Sequence, residues 1–301
     1  MAKEHRVSSL FVHVQHQHVS SLECDLFFYR PTSSLWWRGP GAARPTRGVL
    51  AFDVESGAYH RIGNLTSARA GIVAARHGDQ VMVLGAGGSV PKGSDMYVCG
   101  GLSANRLLDT CEVYSLESGG DWRLVEALLP TPLHGAAAVA DDSNNLFLFG
   151  GDNTPQGSEL GPFPVAQTIK YNVDTKAWTR LADLPTQRRV PAAVYLNQSN
   201  SVALCCGASA VQPRRECYVY DIAEDQWSSF PPMSRRRAAF HLVQKGDTKE
   251  GRLHALGGES QNFVPIDSIE WFDWARREWV ASKARLPSLV HTYALFQLCE
   301  D

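Results

Sequence analysis

Apolar residues along this chain come in short runs rich in Val, Leu, Phe and Tyr, separated by clusters of Gly, Pro, Asn, Asp and Ser. Few windows hold a 3.6-residue period, so the pattern predicts many short strands joined by turns rather than helices. Four runs close on glycine: MYVCGG at 96–101, LFLFGG at 146–151, ALCCG at 203–207 and LHALGG at 253–258. These ends recur at intervals of 50, 56 and 51 residues. Downstream of each comes an aromatic, Tyr114, Tyr171, Tyr220 or Phe272, and seven or eight residues later a tryptophan, Trp122, Trp178, Trp227 or Trp279. A period near 50 residues marks a repeat architecture, in which one unit cannot bury its own faces and stacks on its neighbours.

A hydrophobic run into Gly-Gly, then a Tyr, then a Trp at set offsets resembles the kelch repeat, and the resemblance covers about residues 49–297. It implies an all-β fold, a kelch-type β-propeller with one four-stranded blade per repeat. On that reading Gly-Gly ends strand two where backbones approach closely. The Tyr and Trp, on strands three and four, fill the space between blades. VLAFDVESGAYHRIGNL at 49–65 reads as strands three and four of a degenerate first blade, and DLFFYRP at 25–31 as its second strand. LVHTYALFQL at 289–298 reads as a first strand supplied from the C-terminus. That strand would close the ring against the N-terminal strands and remove the open edges. The expectation is about five blades, or six if residues 1–48 hide another. It takes residues 25–301 as a single propeller domain, behind an N-terminal segment 1–24 that is either poorly ordered or a degenerate blade strand.

VMVLGAGG at 81–88 competes with 96–101 for the role of second strand, leaving about 13 extra residues. They read either as a protruding loop or as an irregular exon boundary. As a dinucleotide loop the stretch fails: Gly85 and Gly87 fit, but the third glycine position is Val90, followed by Pro91 and no helical period. No cofactor is expected.

With 301 residues, 44 % of them hydrophobic, the chain can bury a sizeable core. Twenty-nine basic and 31 acidic residues give no overall field for nucleic acid or an anionic membrane. No run approaches the roughly 20 apolar residues of a membrane span. The N-terminal MAKEHRVSSLFVHVQHQH lacks a signal-peptide core, so the expected location is the cytoplasm, with the nucleus as an alternative. Seven cysteines without a C-x-x-C spacing predict reduced thiols rather than a disulfide framework or a zinc cluster. Some kelch propellers are copper oxidases, but His13, His16 and His18, the one dense histidine cluster, read as solvated rather than as a metal site.

The stronger local signal is basic. Just before strand one of each unit the chain reads SARAG, PLHGA, QRRVP, SRRRAA and LVHTY, so that Arg69, His134, Arg189, Arg236 and His291 recur about once per blade. In a propeller such positions gather at one mouth of the channel. In kelch adaptor proteins that this chain resembles, arginines at the matching place grip acidic partner peptides, and guanidinium forks fit carboxylates. The resemblance therefore implies a non-catalytic protein-interaction module, a scaffold or adaptor that binds an acidic segment at the mouth. Actin binding is a variant of that class. A sugar-directed enzyme, mutarotase/epimerase-like or oxidase-like, is the alternative. No BTB or F-box-like helical segment precedes the repeats, so ubiquitin-ligase machinery is expected only through another subunit or a longer isoform.

Overall fold

Among the described residues, short apolar runs broken by turn residues fold into antiparallel sheets and little else. The computed structural model describes residues 10–14, 46–53, 58–69, 73–77, 80–84, 95–103, 106–115, 120–154, 161–245 and 252–286. Three four-stranded sheets follow one another, each a meander with its strands in chain order. The first contains β11 (Ala137–Ala140), β12 (Asn145–Phe149), β13 (Thr168–Asn172) and β14 (Ala177–Leu181). The second contains β15 (Ala192–Leu196), β16 (Ser201–Cys205), β17 (Cys217–Asp221) and β18 (Gln226–Phe230). The third contains β19 (His241–Lys245), β20 (Arg252–Leu256), β21 (Ser268–Asp273) and β22 (Glu278–Arg285).

Before these stand the three-stranded sheet β6 (Asp95–Cys99), β9 (Cys111–Ser115) and β10 (Arg123–Leu124), with the hairpin β7 (Leu102–Ser103)–β8 (Arg106–Leu107) between β6 and β9 in the chain. A further hairpin joins β4 (Val73–His77) to β5 (Gln80–Leu84). The N-terminal sheet consists of β1 (Leu10–Val14), β2 (Thr46–Asp53) and β3 (Ala58–Arg69). The leading strands β4, β11, β15 and β19 touch in succession, as the innermost strands of neighbouring propeller blades do. The architecture is all-β and of the kelch-propeller type.

The second strands show why the apolar runs are continuous rather than alternating. LFLF at 146–149 and SVALC at 201–205 are buried along their whole length, because each blade is covered on both faces by its neighbours. The recurring aromatics pair within a blade: Tyr171 with Trp178 at 5.0 Å between ring centroids, Tyr220 with Trp227 at 4.9 Å and Phe272 with Trp279 at 5.3 Å. Each indole then reaches into the preceding blade. Trp178 Nε1 donates to Ala127 O (3.4 Å), Trp227 Nε1 to Ala182 O (2.9 Å) and Trp279 Nε1 to Pro231 O (2.9 Å). The tryptophans thus join blades by packing and by a satisfied polar tip.

Three expectations change. The doubled glycine run separates into two elements: residues 95–99 pair with β9 and are the blade's second strand, whereas 80–84 pair with 73–77 in a separate hairpin. The strand pairing with β2 in the N-terminal sheet is Leu10–Val14 and not the expected 25–31. Residues 25–31 lie outside the described residues, as does the proposed closing strand 289–298. Four cysteines are not reduced: Cys99 is bonded to Cys111 and Cys205 to Cys217. Both pairs lie directly opposite each other across strands two and three, with Cα atoms 4.0 and 4.1 Å apart, and that register brings the sulfurs together. Cys206 remains a buried free thiol.

Candidate functional site

Strand direction alternates, so the loops joining strands two and three lie at the same end as the links from strand four into the next blade. The register at this end is set by the last glycine of each apolar run, whose N–H crosses into the following blade. Gly101 donates to Leu133 O, Gly151 to Arg188 O and Gly207 to Arg237 O, each at 2.9 Å. One residue further on, backbones exchange paired hydrogen bonds: His134 with Asp152, Arg189 with Ala208 and Ala238 with Glu259. The approach leaves no room for a side chain. A Cβ on Gly258, where φ is +91°, would stand 2.5 Å from Phe240 Cβ and 2.7 Å from Ala238 O. These contacts define a first row, Leu133, Arg188 and Arg237, and a second, His134, Arg189 and Ala238.

The arginines of the first row brace their own blades. Arg188 is fully buried and donates through Nη1 to Cys206 O (2.8 Å) and Glu216 O (3.1 Å), with its guanidinium carbon 4.8 Å above the Tyr218 ring. Arg237, also fully buried, donates to Gly257 O (2.7 Å), to Ser268 O and Oγ (both 2.9 Å) and to Glu270 Oε1 (2.9 Å). Each ties the start of its blade to the glycine turn and to the start of strand three. By its offset along the chain Arg69 corresponds to this row. Thr66 and Ser67 donate their N–H groups to the Glu112 carboxylate as Ser234 does to Glu270, and Arg69 follows Thr66 by the three residues that separate Arg237 from Ser234.

The second row brings two of the sequence-identified residues together. His134 is partly buried, and its pKa falls to about 4: loss of solvent is the main cause, Asp152 opposes it and Arg189 adds to it. The imidazole is therefore neutral at pH 7. Arg189 is largely buried, with its guanidinium carbon 5.4 Å over the ring of Phe263 from the next blade's strand-two-to-three loop. The sequence reading placed Arg236 in the same recurring position. Its place in the register is one residue before the first row, and the second-row residue of that blade is Ala238. A run of three arginines left the choice open, and the Gly207 N–H contact selects Arg237. Arg236 is half-buried and donates through Nη1 to Pro213 O (3.0 Å). His291 lies outside the described residues.

Sequence reasoning missed other residues at this end. Pro164, Pro213 and Pro265 each close a strand-two-to-three loop against the residue after the run's last glycine. Their recurrence at 49 and 52 residues was a usable signal. The same loops expose apolar side chains: Phe163, Val211 (80 % exposed) and Val264 (55 %). Between the last two blades a cavity of about 370 Å³ is lined by Arg215, Ser234, Arg235, Arg236, Ser260 and Gln261.

No family model matches the chain. It is similar to an F-box/kelch-repeat protein of Arabidopsis thaliana, At2g44130, with 27 % identity over 114 residues, 36 % of this chain and 27 % of that protein. It is also similar to Kelch domain-containing protein 8B of Rattus norvegicus, 28 % identical over 136 residues, 41 % of this chain and 37 % of that protein. The Homo sapiens protein of that name matches over the same length at 27 % identity. The matched stretch thus spans well under half the length of these curated relatives.

Proposed function

We propose that this chain, a relative of kelch-repeat proteins, is a protein-interaction module that holds a segment of a partner polypeptide on the end carrying its strand-two-to-three loops. The observation that carries the reading is the mixed character of that end. Basic groups (Arg215, Arg235 and Arg236) share that end with loop tips that expose Phe163, Val211 and Val264 to solvent. Exposed apolar side chains rimmed by charge mark surfaces that other proteins cover. Guanidinium groups favour acidic segments, and the partner is accordingly an acidic stretch flanked by apolar residues.

The test is capture of partners by the intact chain, followed by reconstitution with the purified partner. Phe163→Asp/Val264→Asp is compared with Lys176→Glu, which lies on a strand-three-to-four turn at the other end. The reading expects the reconstituted affinity to fall at least tenfold in the first variant and to hold in the second. Equal affinity for both would overturn it.

A further inference from the structure

We propose that the cavity between the last two blades is a phosphate-monoester site that takes a phosphoserine or phosphothreonine side chain of the partner. This proposal rests on the protein-interaction reading above. The cavity draws its lining from the blade-to-blade link, which gives Ser234, Arg235 and Arg236, and from two successive strand-two-to-three loops, which give Arg215 and then Ser260 and Gln261. Three of the six lining residues carry a guanidinium, two a hydroxyl, one an amide and none a carboxylate.

Two carboxylates bonded to lining residues are already engaged. Glu270, buried behind the cavity, accepts from Arg237 (2.9 Å) and from Ser234 N–H (3.0 Å) and Oγ–H (2.6 Å), which fixes Ser234 in the wall. Glu216 Oε2 accepts from the N–H of Arg215 (3.2 Å). Arg236 is steadied by the carbonyl of Pro213, to which it donates through Nη1, its one hydrogen bond among the described residues. The exposed Arg215 and Arg235 form no ion pair among the described residues.

Three arginines on one cavity lining are more than a carboxylate uses, since one bidentate fork satisfies it. A phosphate monoester carries nearly two negative charges at pH 7 and three strong acceptor oxygens, enough to engage all three. The apolar tips argue that this group arrives on a polypeptide. Val211 stands four residues before Arg215 in its loop and Val264 three after Gln261 in the next, and residues flanking a phosphoserine would cover both. Free phosphate would cover neither.

The experiment uses the full chain and an array of degenerate peptides with apolar flanks, synthesised with phosphoserine, serine or glutamate at the centre. Binding is read by fluorescence anisotropy. Phosphoserine peptides are expected to bind at least tenfold more tightly than both counterparts. Arg215→Gln/Arg235→Gln, at exposed positions and with an unchanged melting temperature, is expected to abolish that preference. Absence of a phosphoserine preference, its survival in the variant, or complete displacement of the peptide by an equal concentration of inorganic phosphate would each overturn the proposal. Partner affinity that still depends on Phe163 and Val264 but not on phosphorylation removes this inference alone and leaves the interaction module standing.

Discussion

Replacing Arg237 by leucine tests whether the buried arginines of the first row brace their blades. The side chain is fully buried and supplies donors to two carbonyls, one hydroxyl and one carboxylate. Its loss leaves the buried Glu270 without a counter-ion, although the two Ser234 bonds remain. Removing one partner of a buried pair costs about 3–5 kcal/mol. Arg188→Leu is the matched comparison, since Arg188 binds carbonyls and a threonine but no carboxylate. Glu216 O keeps the N–H of Cys206 as a donor, so this change costs less, about 2 kcal/mol. Leucine already occupies the row at Leu133, which shows that the position accepts it sterically. Adding Glu270→Leu to Arg237→Leu removes the stranded charge and is expected to recover about 2 kcal/mol, a coupling of the size found for contacting residues. The assay is equilibrium urea unfolding followed by tryptophan fluorescence, with the disulfides kept oxidised and the slope compared between variants. A cost below about 1 kcal/mol for Arg237→Leu, or strict additivity with Glu270→Leu, would refute the reasoning.

Three further outcomes follow from the same contacts. His134 has its pKa lowered from 6.5 to about 4, so between these values the unfolded chain binds more protons. Its contribution is fully present above pH 6.5 and is lost as pH falls towards 4, by at most about 3 kcal/mol; His134→Gln should flatten that part of a urea-midpoint-against-pH profile, and an unchanged slope counts against it. Gly258→Ala meets backbone and Phe240 at 2.5–2.7 Å, whereas Gly120→Ala, at a similar φ of +98°, meets nothing within 4 Å. The first should cost roughly 2 kcal/mol more than the second in thermal unfolding, and equal costs would contradict the close approach. Alkylation of the oxidised, denatured chain with mass-spectrometric readout should find Cys99, Cys111, Cys205 and Cys217 protected, and replacing either pair by alanine should cost about 3 kcal/mol, given 12-residue separations. Full alkylation of these four would exclude the bonds.

Periodic features were legible in the chain because their spacing survives without knowledge of contacts. The glycine ends, Tyr171 and Trp178, and their counterparts in later blades fall where strands two, three and four form. What could not be read was register. QRR at 187–189 and RRR at 235–237 each offer several candidates for a recurring arginine, and only the N–H contacts of Gly151 and Gly207 separate the buried row from its neighbour. The disulfides failed for the same reason. Cys99 with Cys111 and Cys205 with Cys217 share a separation of 12, but without the strand pairing that spacing carried no meaning. The arginine-lined cavity joins residues from two blades, and no single stretch of sequence contains it.

The central claim, that partners sit on the end bearing the strand-two-to-three loops, is tested most directly by hydrogen–deuterium exchange of the chain with and without its reconstituted partner. Protection confined to residues 161–166, 209–215, 231–237 and 259–265 is the expected result. Protection concentrated instead on the strand-three-to-four turns at 173–176, 222–225 and 274–277 would contradict it.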